Sequence, residues 1–179
     1  EKKVPKSEGI KKSKKSTLYV LSVITRKIAI PYQSVGSNLK QLIQQKLVSQ
    51  LEGKCTVEGY VRNNSIRVLT YSSGILKANN VIFDVVLECL LCTPVEGLII
   101  NARVTNITKA GLRCDITGDE SPLDIFVARD HHFTSKEFSK INEGDTISVK
   151  ILGQRYEIND PKISVIAELT KIKKGKRIK

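Results

Sequence analysis

The 179 residues carry a net charge of +12, with 40% hydrophobic and only 5% aromatic residues, enough chain for one large or two small domains. No uncharged apolar run reaches membrane-spanning length, and no apolar segment of signal-peptide type follows the basic start, so the composition argues against a membrane or secreted protein and for an intracellular, soluble one. The charge sits at the ends: residues 1–16 hold seven Lys against two Glu, residues 171–179 hold six basic residues and no acid, and only +1 is left for residues 17–170. Both ends are expected to be basic arms suited to phosphate backbones or an acidic partner.

Taken in order, LYVLSVIT from residue 18 and then Ile28, Ala29 and Ile30 form a β-branched run stopped by Pro31, which predicts a first strand. Ser37 and Asn38 offer an N-cap. Leu39, Leu42, Ile43, Leu47 and Leu51 then recur at intervals of three and four, predicting an amphipathic helix that ends at Glu52-Gly53. Cys55, Val57 and Val61 alternate with Lys54, Thr56, Glu58 and Tyr60, predicting a strand over 54–61. Asn63-Asn64 then predicts a hairpin turn into a strand through Ile66 and Val68. Breaks follow at 72–74 and 78–80.

Residues 81–92 carry the strongest pattern. Val81, Phe83, Val85, Leu87, Cys89 and Leu91 are apolar at every odd position, while Asp84 and Glu88 occupy even ones, so a long strand is predicted. Pro94 and Gly97 stop it, and a two-domain chain divided there is expected. After Gly97 the pattern stays at period two. Strands are predicted through 98–105, 112–116, 123–127, 147–151 and 163–169, with turns at 109–111, 118–122, 143–145 and 159–161 and a long polar loop after the third strand. Five short strands with one long connection suit a closed Greek-key barrel of the OB type.

The chemistry-bearing residues are sparse. Cys89 and Cys92 have CxxC spacing but point to opposite faces of a strand, so buried thiols rather than a metal or redox site are expected. Asp84 and Glu88 would lie about 13 Å apart along a strand, too far for a carboxylate pair. His131-His132 has no ligand at metal spacing, and no phosphate loop, nucleophile elbow or zinc-protease motif is present. No enzyme, no metal and no cofactor is expected. Phe126 differs: Ile125 and Val127 would fill the barrel, leaving Phe126 outward on the strands where OB barrels stack bases. Arg113 on the preceding strand and Arg129 just beyond could meet phosphates or stack.

These residues bear a resemblance. Gly111-Leu112-Arg113-Cys114-Asp115-Ile116, then Ile125-Phe126-Val127, then residues 143–150 resemble the RNA-binding OB domain first described in ribosomal protein S-one. Ile30-Pro31, Gly36, the helix, Glu52-Gly53-Lys54-Cys55, Gly59-Tyr60-Val61, Gly74-Ile75 and the central strand running into Thr93-Pro94-Val95-Glu96-Gly97 narrow it. In that order they resemble the RNA polymerase stalk-subunit family, which comprises the seventh subunit of eukaryotic polymerase II, its polymerase I and III counterparts and their archaeal E-prime relative.

The resemblance implies an α+β truncated RNP-like domain followed by an all-β OB barrel. The divisions would be basic tails at 1–16 and 171–179, a polymerase-docking unit at 17–94 and an RNA-binding unit at 95–170. It implies a non-catalytic subunit of a DNA-directed RNA polymerase, paired with a fourth-subunit-like stalk partner and lying near emerging single-stranded RNA, without cofactor or membrane. Docking would use tip loops at 31–36 and 71–76, with Pro31, Tyr32, Gly36, Tyr71 and Gly74. RNA would meet Lys109, Arg113, Phe126, Arg129, His131 and Lys150. Family members often have an aromatic where Leu112 stands. The location implied is the nucleus for a cellular eukaryotic enzyme, otherwise the cytoplasm or the virion of a large virus. The rival reading is a free-standing OB-fold RNA-binding adaptor in translation or RNA decay.

Overall fold

A strand as long and as regularly alternating as 81–92 requires partners on both edges, and the chain supplies them unequally. The computed structural model describes residues 18–116, 121–132 and 138–173. Its first half contains β1 (Tyr19–Pro31), α1 (Leu39–Leu51), the short strands β2 (Cys55–Thr56), β3 (Gly59–Val61), β4 (Arg67–Tyr71) and β5 (Ile75–Lys77), and the long β6 (Asn80–Cys92). β1 pairs antiparallel with β6 from Tyr19 opposite Cys92 to Pro31 opposite Asn80. The other edge of β6 is served in succession by β3, β4 and β5.

The odd positions of β6 are buried from Val81 to Leu91, clustered with Ile28 and Ile30 of β1 and Ile43 and Leu47 of α1. A fully buried Leu, Ile or Phe side chain stabilises by about 1.5–3 kcal/mol, so this single layer of contacts holds helix to sheet. α1 starts and stops where its pattern predicts, although Asn38 makes no side-chain cap and offers only its carbonyl, which accepts from Leu42 N–H at 3.1 Å.

Two strand expectations need correction. The alternation at 54–61 is not one strand but a tight hairpin, with Cys55 opposite Tyr60, Thr56 opposite Gly59 and Val57 exposed at its turn. Gly59, at φ +133°, makes that turn possible, and a Cβ there would sit 2.6 Å from the Thr93 hydroxyl. Asn63-Asn64 does turn the chain, with Asn64 left-handed at φ +55°. The strands before and after it do not pair with each other, however, but follow one another along β6. Glu52 fixes this course: its carboxylate accepts from the backbone N–H groups of Asn64, Ser65 and Ile66 at 2.9, 3.1 and 3.1 Å.

The second half is β7 (Ile99–Ile107), β8 (Gly111–Ile116), β9 (Leu123–Ala128), β10 (Thr146–Arg155) and β11 (Ile163–Lys173). They close into a barrel in the order β10-β11-β9-β8-β7, with β11 parallel to β9 and every other pair antiparallel. This is compatible with the expected OB barrel. Alternate residues such as Leu112, Cys114, Ile125, Val127, Val149 and Val165 fill its interior. The turn expected at 118–122 falls largely outside the described residues, as do the tail at 1–16 and residues 174–179. β11 runs to Lys173, so the first three residues of the expected C-terminal arm are strand.

The halves meet closely. Leu18, Cys55, Tyr60 and Cys92 pack into the barrel cluster. Cys55 N–H donates to Asp160 O at 2.8 Å, while Asn159 N–H donates to Cys55 O at 2.9 Å. The linker adds Gly97 N–H to Ile151 O at 2.8 Å.

Candidate nucleic-acid interface and docking tip

The barrel strands carry one outward row that can be read from their register. Asn106 of β7 lies opposite Arg113 of β8, Arg113 opposite Phe126 of β9, Phe126 opposite Ile166 of β11, and Ile166 opposite Gly153 of β10. Phe126 faces outward as expected but is half-buried, because its ring leans over Gly111. A Cβ on Gly111 would stand 3.0 Å from the Phe126 ring and 2.2 Å from Val127 O, so the ring rests where only glycine leaves room. Arg113 is exposed at its side, and Ile166 is exposed on the other. A flat aromatic between a guanidinium and an aliphatic side chain can take the face of an unpaired base.

Two further basic residues stand at the end of this face. Arg129 N–H donates to Ala110 O at 2.9 Å, which brings Arg129 beside the turn that carries Lys109, and the Thr108 hydroxyl closes that turn onto Gly111 O at 2.9 Å. The Arg129 guanidinium lies 5.7 Å from the centre of the buried Phe138 ring, while His132 stacks on that ring at 5.2 Å. His132 Nε2 accepts from Leu169 N–H at 2.9 Å, and burial pushes its pKa down. His131 is exposed next to it.

Lys109, Arg113, Phe126 and Arg129 are thus brought to one side of the barrel, with His131 following. Lys150 is not among them: it lies opposite Glu168 and Ile99, with β11 between its strand and β9. Leu112 is buried in the barrel interior, so its identity bears on packing rather than on the outer face. The sequence does not single out Ile166 or Gly111 as members of this face, although Ile166 is the outward residue of its own alternation.

At the far end of the first sheet, Tyr32 N–H donates to Asn79 O at 2.9 Å and Pro31 lies opposite Asn80, so the end of β1 and the β5–β6 turn form one tip. Tyr32 is 64% exposed, Ile75 70% and Leu76 63%, and Val35 is open as well. Tyr71 is partly exposed, its ring edge-on to Phe83 at 6.1 Å. A Cβ on Gly36 would meet nothing within 4 Å, whereas one on Gly74, at φ +84°, would strike Phe83 and Val81 at 2.7 Å. Pro31, Tyr32, Ile75 and Leu76 thus stand at the tip, whereas Gly74 lies against Val81 and Phe83, and Tyr71, opposite Val85, stands further along the other edge of β6. Exposed apolar side chains grouped in this way mark a contact surface.

All four cysteines are buried free thiols, with Cys89 in the first core and Cys92 in the barrel cluster, on opposite faces of β6. Burial pushes Cys55 up to about 11 and both Cys92 and Cys114 to about 12. Among the described residues no group of three or more His, Cys, Asp or Glu could hold a metal ion, and no helix is long and apolar enough to cross a membrane.

Fold and surfaces define a class: a sheet with an exposed apolar tip, coupled to a barrel of OB type. No family model matches the chain. It is 29% identical over 176 residues to a DNA-directed RNA polymerase subunit of Acanthamoeba polyphaga mimivirus, covering 91% of this chain and 87% of the relative. The identity is 26% to the DNA-directed RNA polymerase II subunit rpb7 of Dictyostelium discoideum, over 70% of this chain and 80% of the relative. To RNA polymerase II subunit 7 of Arabidopsis thaliana it is 24%, over 75% and 84%. The resemblance carried by the motifs is thus to proteins named as RNA polymerase subunits, at modest identity and along most of the chain.

Proposed function

We propose that the chain is a non-catalytic, intracellular subunit of a DNA-directed RNA polymerase, one that docks on the enzyme core through its tip and presents its barrel to nascent RNA. The observation that carries this reading is the alignment, over 91% of the chain, with a protein named as a polymerase subunit, a span longer than either half alone. The unit 17–94 would be the truncated RNP-like docking domain and the unit 95–170 the OB domain, with basic arms outside them. Pro31, Tyr32, Gly36, Tyr71 and Gly74 would border the core contact. A fourth-subunit-like partner would complete the stalk.

On the barrel, Lys109, Arg113, Phe126, Arg129 and His131 would meet single-stranded RNA, Phe126 by stacking and the cations by charge, with Lys150 adding charge from another flank. The body carries only +1, so fixed phosphate contacts are few and the arms supply most of the counterion release. Purification of the tagged chain tests the assignment: the large polymerase subunits should come down with it, and substituting Pro31, Tyr32 and Tyr71 together should weaken that association while the barrel stays folded. A chain that binds RNA but brings down no polymerase subunit would be the free-standing adaptor instead.

A further inference from the structure

Past its last parallel pair with β9, Ala167 opposite Val127, β11 runs on while β9 stops at Ala128. The 129–132 turn takes the place of β9 beside it. Among the described residues two hydrogen bonds tie this turn to the barrel strands and their loops. Arg129 N–H donates to Ala110 O at its start, and Leu169 N–H of β11 donates to His132 Nε2 at its end, each at 2.9 Å. The His132 ring also lies nearly parallel to Phe138, with 5.2 Å between centres and 15° between planes, and Phe138 is buried in the barrel cluster. The Arg129 guanidinium rests on the same Phe138 ring at 5.7 Å. One imidazole therefore joins a strand edge, a core aromatic and, through it, a basic side chain of the candidate RNA face.

The bond to Leu169 requires a neutral ring. Nε2 accepts, so the single ring proton sits on Nδ1, and a second proton on Nε2 would set donor against donor. Burial opposes that proton most, Glu168 of β11 favours it, and His131 opposes it. The other charged groups on the elements packed here are Arg129 and Asp130 in the turn, Lys140 in the 138–140 turn and Arg113 on β8.

We propose that His132 is a positioning residue for the RNA face. Its neutral ring fastens the 129–132 turn to β11 and holds Arg129 and His131 on the side of Phe126, and a proton on Nε2 lets them go. His132 itself touches no RNA. The sign of its effect separates it from its neighbour: a histidine that meets phosphate, as proposed for His131, binds RNA more tightly when acid adds its charge. Acid at His132 instead takes fixed cations away from the face.

This inference rests on the RNA-binding part of the proposed function. The chain has only two histidines, so in full-length His131→Gln the remaining ring is His132. Binding of a single-stranded uridine oligomer, whose bases do not titrate in this range, is followed from about pH 7.5 down to about pH 5. Affinity should fall by about tenfold, the scale of one charge-assisted hydrogen bond, and the salt slope should shrink by about one. The double variant His131→Gln, His132→Gln should keep its neutral-pH affinity throughout, because an amide oxygen accepts from Leu169 N–H at either pH. His132→Ala should bind weakly throughout, with Leu169 N–H open to exchange while the amides of β9 stay protected. Affinity that holds or rises on acidification of His131→Gln would overturn the inference alone, as would full affinity in His132→Ala. An unaltered chain that binds no RNA at neutral pH would overturn the RNA-binding reading, and this inference with it.

Discussion

The first sheet and the barrel solve the same problem, burying one face of an alternating strand, by opposite means. The barrel bends five strands into a closed ring, so each strand has a dry side, a wet side and two neighbours. The first sheet stays open, covers one face with a single helix, and leaves one edge and one tip exposed. Closure gives the barrel a stable outer row on which residues can be set at fixed spacing. Openness gives the first sheet surfaces that other chains can complete.

The two cores put this contrast to its most severe test. Phe83→Ala, in the first core, should cost about 3–5 kcal/mol, and Ile125→Ala, in the barrel, about 2–5 kcal/mol, as read by chemical denaturation. If the closed barrel is the more independent unit, Phe83→Ala should leave barrel amides protected against exchange. Loss of protection throughout would make the two halves one folding unit.

Gly111→Ala probes the outer row of the barrel. Its Cβ would meet Val127 O at 2.2 Å, a backbone atom that cannot swing away. Overpacking of this kind costs about 1–3 kcal/mol, and because the Phe126 ring is displaced as well, RNA affinity should fall alongside stability. Phe126→Ala separates the two effects. It should weaken single-stranded RNA binding by about 1–3 kcal/mol and leave the salt dependence nearly unchanged, whereas removing both basic arms should flatten that dependence. An armless chain with the full salt slope would show that the barrel holds the charge contacts.

The smallest expected effect is on pH dependence. His132 titrates lower in the folded barrel than its ordinary value of 6.5, because burial penalises the charged ring. The unfolded chain therefore binds the proton first, and stability should decline as pH falls from 6.5 through the lower folded value. Glu58, in the first half, is held below its ordinary 4.5, chiefly by its hydrogen bonds from Arg26. Its stabilisation should be complete above 4.5 and be lost only as pH falls below that. Acid titration of the fold should therefore register in the barrel before the sheet, and His132→Gln should remove the earlier step alone.

The barrel is the more legible half because local alternation suffices when every strand has one buried face: Ile125 and Val127 in, Phe126 out. The first half is legible at β1, α1 and β6, where long patterns average out single residues. It is not legible at Val57, a β-branched apolar residue in a turn, since the conformation there belongs to Gly59 and to its contact with Thr93. Nor does Glu52 disclose in sequence that it binds three amides twelve to fourteen residues away. On the candidate interface, alternation separates Arg113 from Leu112 correctly. Which outward residues share a side is a matter of closure, and the parallel β9–β11 pairing that sets Ile166 beside Phe126, and β11 between Lys150 and β9, is non-local.

The two backbone bonds that tie Cys55 to Asn159 and Asp160 act as a splint. A load taken at Tyr32 travels down β1 and β6, thirteen residues each, or about 40 Å of strand. It then enters the barrel at two separate places, the covalent connection at 93–98 and the loop at 156–162. A body joined at one point swivels; one joined at two resists bending and passes torque along its length. Holding the tip, as the proposed docking would, should therefore also fix where the barrel points.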